Sequence, residues 1–277
     1  MIERQSHPVV VLCGGLGTRL RGVVEGPKVL APVGGQPYLR FLLRWLVREG
    51  LGDIVLATGF GSDAVASFVS DELEDLALYA ESRARANARA RAGEGRVEVT
   101  VRCVPELEPL GTGGAFANAV RAAAITGPFF GLNGDTLFTG SPSVLAERLP
   151  PDAAAVIAVT KVGDSSRYGT VLMDLPDSGA ARSGSVYRVT GFQEKDPQMS
   201  KRPGWINAGL YLMRSERFAE VNPGVVVSLE RDLFPQWTNA GLRAVPFTDA
   251  EFLDIGTPND YARAVSYFSR AGWMSPR

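Results

Sequence analysis

Val9-Val10-Val11-Leu12 runs straight into Cys13-Gly14-Gly15-Leu16-Gly17-Thr18-Arg19-Leu20, and Pro27-Lys28-Val29-Leu30 follows shortly after. A short apolar run rich in β-branched residues predicts a buried strand. Gly14, Gly15 and Gly17 then stop it; glycine admits left-handed backbone and lets a ligand approach with no Cβ in the way. Successive N–H groups in such a turn form a concavity for anions. Thr18 adds a hydroxyl donor, and Arg19 and Lys28 add positive charge. A backbone cradle with two cations suits a polyphosphate. The stretch therefore predicts a nucleotide site made of Leu12, Gly14, Gly15, Gly17, Thr18, Arg19 and Lys28.

Two better-known glycine motifs do not fit. The dinucleotide fingerprint G-x-G-x-x-G, counted from Gly15 and Gly17, requires glycine where Leu20 stands. The P-loop requires lysine directly after its last glycine and before Ser or Thr, and here Arg19 follows Thr18. A glycine turn whose cations merely face solvent is the plain alternative, and the downstream blocks weigh against it.

Composition narrows the partners. With 277 residues, 45% of them hydrophobic, the chain can bury a sizeable core as one large α/β domain or two small ones. A net charge of −1 argues against nucleic acid as the main partner, so the nucleotide is expected to be free and small. No apolar run approaches the roughly 20 residues that cross a membrane. No secretory leader precedes the first strand, so the cytosol is the expected compartment. Cys13 and Cys103 fall in predicted strands and read as small buried hydrophobes, not as a disulfide or metal pair. A single histidine, His7, leaves phosphohistidine and serine–histidine mechanisms almost without material.

The segment from Ala31 to Pro37 predicts a turn into a helix with proline in its first position. On that helix Arg40, Arg44 and Arg48 share a face read as solvated, opposite Tyr38, Leu42, Trp45 and Leu46. Asp53 to Gly59 is a second strand, and strand–helix–strand at these lengths implies a parallel crossover. A second helix starts near Ser62 with Val65, Phe68 and Val69 inward. Glu81 to Gly93 alternates Ala and Arg with no apolar stripe and is expected as an exposed insertion. The alternating strand of Val97, Val99, Val101 and Cys103 leads to a glycine-rich block from Glu106 to Ala115. Its glycines permit close approach of a flat ring, and Thr112 is placed to cap a helix from Gly114.

Pro128 to Asp135 is an apolar strand ending in a carboxylate, which belongs at the carboxyl edge of the sheet where open α/β folds bind ligands. Asp254 repeats the context, with apolar residues before it, Gly256 after it, and a helix capped by Thr257 with Pro258 first. Two carboxylates in matching settings read as metal ligands. Between them lie a buried strand (Ala154 to Val159), a hairpin from Arg167 to Lys195, and a strand from Trp205 to Tyr211 that carries Asn207 in an apolar run. A short helix from Ser228 and a last helix from Pro258 to about Arg270 complete the reading.

Gly14 to Leu20 with Pro27-Lys28 resembles the signature of the sugar-1-phosphate nucleotidylyltransferases. Glu108-Pro109-Leu110-Gly111-Thr112-Gly113-Gly114, Leu132 to Thr136 and Asp254-Ile255-Gly256 extend the resemblance over nearly the whole chain. They make it most similar to guanylyltransferases acting on heptose or mannose 1-phosphate. The resemblance implies an α/β fold, a three-layer α/β/α sandwich on a mostly parallel mixed sheet. It implies one domain over residues 1–277, with a nucleotide half to about 125, a sugar-phosphate half beyond it and no C-terminal β-helix domain.

It also implies roles. Arg19 and Lys28 would meet the triphosphate. Glu108, Gly111, Thr112 and Gly113 would line base and ribose, with Glu108 reading the guanine edge and Glu106 as fallback. Tyr168, Gly169, Glu194, Lys195 and Asn207 would surround the sugar phosphate, with Lys195 on its phosphate. Asp135 and Asp254 would hold Mg²⁺, which takes one or two carboxylates and leaves the rest of its shell to substrate phosphates. The sugar-phosphate oxygen attacks the α-phosphorus and pyrophosphate leaves. No general base is required, because a phosphate monoester loses its second proton near pH ~6. The expected partners are a nucleoside triphosphate and a sugar 1-phosphate, without nucleic acid or membrane; a homo-oligomer is left open. The alternatives are a glucose-1-phosphate thymidylyl- or uridylyltransferase, a glycosyltransferase, and an inactive regulatory homologue. The second would carry Asp-x-Asp at Asp135-Thr136-Leu137, and the third would lose Lys28, Asp135 or Asp254.

Overall fold

The structure is a computed structural model describing residues 7–15, 17, 23–90, 97–166, 168–176, 180–193 and 202–270. The β-branched run forms β1 (Val9–Leu12), and Val9, Val10 and Val11 are all fully buried, as a strand covered on both faces requires. A short ribbon of β2 (Pro32–Val33) and β3 (Gln36–Pro37) turns at Gly34-Gly35. Pro37 therefore caps α1 (Tyr38–Arg48) instead of opening it. There follow β4 (Asp53–Thr58), α2 (Ser62–Ala90), β5 (Thr100–Pro105), α3 (Gly111–Ala122), β6 (Pro128–Asn133), β7 (Thr136–Phe138) and α4 (Pro142–Ala146). The second half holds β8 (Ala155–Val162), β9 (Thr170–Met173), β10 (Tyr187–Gln193), β11 (Gly204–Arg214), α5 (Phe234–Trp237), β12 (Leu242–Phe247), β13 (Phe252–Asp254) and α6 (Pro258–Arg270).

The main sheet has the order β5-β4-β1-β6-β11-β8-β12-β10-β9. Its first four strands are parallel, so their carboxyl ends share one edge. β11 runs antiparallel between β6 and β8, β12 is parallel to β8, and β10 is antiparallel to both β12 and β9. Strand alternation divides the core: Val9 and Val11 pack with α1, α2 and α6, whereas Val10 packs with α3 and α5. The result is the expected three-layer α/β/α arrangement on a mixed sheet.

Two expectations fail here. The Arg/Ala-rich stretch is not a separate insertion, because α2 continues without interruption to Ala90. Leu76 and Ala80 are buried one turn before it, and alanine and arginine are strong helix formers that let the packed helix run on. Residues 91–93 of that stretch lie outside the described residues. The arginine face of α1 is not solvated either. Arg40 forms an ion pair with Glu72 of α2, whose carboxylate is buried, and the Arg44 guanidinium lies 5.4 Å from the Tyr79 ring centre. A buried carboxylate requires cations beside it. Burial pushes the Glu72 carboxyl up, against the pull of Arg40 and Arg44.

Candidate active site

The parallel strands bring their carboxyl ends to the glycine loop. Cys13 N–H donates to Ala57 O and Gly134 N–H to Leu12 O, which ties the ends of β4, β1 and β6 together. A Cβ on Gly14 would lie 3.2 Å from Glu106 Oε1 and 3.3 Å from Gly59 N, so the residue must be small for three strand ends to meet. Gly15 is exposed with open space around it, and Gly17 takes φ +57°. Thr18 and Arg19 lie outside the described residues. Cys13 is buried, and burial pushes its thiol far up, consistent with a small apolar filler.

Lys28 sits on a short 3₁₀ turn, Lys28–Leu30. Its Nζ lies 2.6 Å from Asp135 Oδ2 and 3.8 Å from Asp254 Oδ1. Asp135 and Asp254 are 119 positions apart in sequence, and the antiparallel ribbon β7–β13 brings them side by side. There Asp254 pairs with Thr136, and Ile255 N–H donates to Asp135 O. Gly256 N–H donates to Asp254 Oδ1 at 2.6 Å, and a Cβ on Gly256 would come within 3.1 Å of Lys28 Nζ. Burial, and then the Asp135 charge, push the Asp254 carboxyl up, against the pull of Lys28 and the Gly256 N–H. The last helix starts as expected: Thr257 Oγ1 accepts Asp260 N–H and donates to Asp260 Oδ2.

Among the described residues no group of three or more His, Cys, Asp or Glu is arranged to hold a metal. The Asp135–Asp254 pair nevertheless fits a hard divalent cation that takes its other ligands from phosphates. Both are carboxylates, and they repel each other.

The block from Gly111 to Gly114 departs from expectation. Helix α3 begins at Gly111, so Thr112 lies inside it and does not cap it. Its hydroxyl accepts Leu229 N–H at 2.8 Å and donates to Glu230 Oε2 at 2.8 Å. Gly113 and Gly114 N–H both donate to Val227 O, and Val227 N–H returns a bond to Leu110 O. At Gly111, φ is +70° and a Cβ would lie 2.6 Å from Val227 O. These glycines make room for the segment 225–229. Sequence reasoning missed this because the partner segment is over a hundred residues away.

The two glutamates before that block differ. Glu106 is half-buried, accepts Leu110 N–H through Oε2 at 3.0 Å, and has its carboxyl pushed up by burial. Glu108 is exposed on the loop, beside a fully exposed Leu107.

On the other side, Tyr168 and Asp254 line one cleft of about 370 Å³. The Tyr168 ring stands edge-on to Phe252, 5.6 Å between centres. A Cβ on Gly169 would lie 3.5 Å from Gln193 O, which sets Tyr168-Gly169 against the end of β10. Glu194 and Lys195 come next in sequence and lie outside the described residues. Asn207 sits at a bulge of β11, where its Nδ2 donates to Tyr211 Oη at 2.8 Å and its Oδ1 accepts Gly209 N–H at 2.9 Å. The cleft also contains Lys161, Asp164 and Arg263, which sequence reasoning passed over because they belong to no glycine block or strand-end pattern.

Comparisons with known proteins bear on the family and the fold. The chain is 29% identical over 253 residues to the D-glycero-alpha-D-manno-heptose 1-phosphate guanylyltransferase of Campylobacter jejuni, covering 91% of this chain and 96% of the relative. Against the protein of the same name from Aneurinibacillus thermoaerophilus the figures are 30% over 261 residues, 92% and 95%. Among solved structures, HddC from Yersinia pseudotuberculosis matches with a TM-score of 0.71 at 29% identity, over 95% of this chain and 99% of that one. A second structure of HddC, complexed with GMP-PN, matches with a TM-score of 0.69. The architecture is thus that of the nucleotide-diphospho-sugar transferases. The model of the family described as "Nucleotidyl transferase" matches residues 8–270, and the chain belongs to that family.

Proposed function

We propose that this protein transfers the guanylyl group of GTP to heptose 1-phosphate or mannose 1-phosphate, releasing pyrophosphate. The observation that carries the reading is the Lys28 ammonium between Asp135 and Asp254, beside the glycine loop at the carboxyl edge of the sheet. The names of the relatives, heptose 1-phosphate guanylyltransferases, support the choice of base and sugar.

The chemistry follows from what this chain supplies. The attacking phosphate oxygen is already anionic, so the task is alignment and charge stabilisation at the α-phosphorus. In this reading the glycine loop with Thr18, Arg19 and Lys28 holds the triphosphate. Glu108, with Glu106 as fallback, reads the base. Tyr168, Gly169, Glu194, Lys195 and Asn207 hold the sugar phosphate. Asp135 and Asp254 would hold Mg²⁺, which supplies charge stabilisation on the phosphates. The nucleotide side ends near residue 125 and the sugar side follows it. A cytosolic location accords with free nucleoside triphosphate as substrate.

The test mixes the protein with Mg²⁺, one of GTP, dTTP, UTP or ATP, and a panel of sugar 1-phosphates, and measures pyrophosphate. The expected result is release with GTP and a heptose or mannose 1-phosphate. Release with no pair overturns the reading.

A further inference from the structure

At the far end of the second half of the sheet, well away from Asp135 and Asp254, a groove of about 310 Å³ is lined by Arg188, Arg217, Arg243, Asp152, Asn239 and Gly241 among others. Its volume is at the lower bound for small-molecule sites. Arg188 of β10 and Arg243 of β12 are directly opposed in the antiparallel ladder, so both side chains leave the same face. Like charges directly opposite each other destabilise a strand pair. Arg217 reaches the groove from the 3₁₀ turn Ser215–Phe218.

Among the described residues none of the three arginines forms an ion pair, and the one carboxylate lining the groove, Asp152, leaves an excess of two positive charges there. This differs from the other arginine cluster, where Arg40 and Arg44 face the buried Glu72. Three guanidinium forks around a concave surface, with no ion pair to them among the described residues, suit a tetrahedral oxyanion.

The groove is not part of the proposed reaction site. Asp152 precedes β8, whereas Lys161 and Asp164, at the other end of that eight-residue strand, line the cleft with Asp254. At about 3.3 Å per residue the strand separates the two by roughly 25 Å. We infer that Arg188, Arg217 and Arg243 form a second anion site, binding a phosphate group away from the reaction centre. The group is either free phosphate or a phosphate monoester on a small metabolite.

The test is equilibrium dialysis of the full chain with radiolabelled orthophosphate. It compares the wild type, Lys28→Ala to remove one phosphate-binding cation of the reaction site, and the double variant Arg188→Gln/Arg243→Gln. Lys28→Ala should keep a bound equivalent that the double variant binds at least tenfold more weakly. Phosphate should raise the melting temperature of the wild type more than that of the double variant. Without phosphate the double variant should melt no lower than the wild type, since it loses a like-charge pair. Displacement of the bound equivalent by mannose 1-phosphate more strongly than by unlabelled orthophosphate supports a monoester; equal displacement supports free phosphate. Unchanged phosphate binding in the double variant overturns the inference. So does loss of all phosphate binding in Lys28→Ala, or displacement by chloride as effective as by phosphate.

Discussion

The Lys28 ammonium bonds to the Asp135 carboxylate at 2.6 Å across 107 positions of sequence, with Asp254 only 3.8 Å away. The Lys28 side chain is 11% exposed, and a cation held this tightly between two carboxylates orients both. Lys28→Met removes the ammonium between the two facing carboxylates. Turnover should fall at least about a hundredfold, the scale for losing one preorganised electrostatic group. Steady-state pyrophosphate release checks this, and near-normal turnover would remove Lys28 from the site.

Asp135 and Asp254 should separate function from stability. Asp135→Ala or Asp254→Ala should slow turnover about a hundredfold or more, roughly 3 kcal/mol of barrier, while the fold survives. Asp254→Asn keeps an acceptor for Gly256 N–H and removes a charge that burial and Asp135 oppose. Its folded pKa is raised above the ordinary 3.8, so the protonated form favours the fold. That contribution is present below the ordinary value and lost as pH rises through the raised one. Asp254→Asn should therefore melt above the wild type at pH 7, with the difference shrinking as pH falls towards the ordinary aspartate range. An equal or lower melting temperature at pH 7 would contradict the electrostatic account.

What the sequence could tell followed from how local each signal is. β1, the glycine loop and the strand-end aspartates were legible because a β-branched run, a glycine cluster and a carboxylate after apolar residues each act within a few positions. The capped start of α6 was legible for the same reason. Thr112 was misread because its hydroxyl partners, Leu229 and Glu230, are supplied by a segment that no local pattern links to it. The arginine face of α1 was misread likewise, since Glu72 is buried only once α1 and α2 pack together. The groove of Arg188, Arg217 and Arg243 left no trace at all, because three separate elements build it.

Thr112→Val tests the bridge between α3 and the segment after Val225. The substitution keeps the side-chain shape but removes one acceptor and one donor, leaving Leu229 N–H without its partner. A loss of about 1–3 kcal/mol of stability is expected, the usual penalty for orphaning a buried polar group. Denaturant unfolding measures it, and a change within about 0.5 kcal/mol, the usual range for surface substitutions, would show the bridge to be dispensable.

Lys195 stands two positions in sequence after Gln193, the last residue of β10. If it holds the phosphate of the sugar, Lys195→Ala should raise KM for the sugar 1-phosphate or lower kcat. Nucleotide binding without sugar should barely change. Calorimetric titration with nucleotide alone is the check: a large loss of affinity would move Lys195 to the triphosphate side.

In the proposed reaction the choice of base would rest on the two glutamates before α3. Guanine presents N1–H and its 2-amino group side by side, and a carboxylate can accept both in a charge-assisted pair. Thymine and uracil offer one donor between two carbonyls, which a carboxylate repels. Glu106 has one oxygen committed to Leu110 N–H, whereas Glu108 is exposed on the loop. Glu108 therefore has the freer pair of oxygens and remains the reader of first choice. GTP should be preferred over dTTP and UTP, and inosine triphosphate, which lacks the 2-amino group, should fall behind GTP. Glu108→Gln should narrow the gap between GTP and inosine triphosphate, and Glu106→Gln should leave it. The reverse pattern in kcat/KM would move the reading to Glu106. A preference of the unmodified protein for dTTP, UTP or ATP would overturn the guanylyl assignment while leaving family membership untouched.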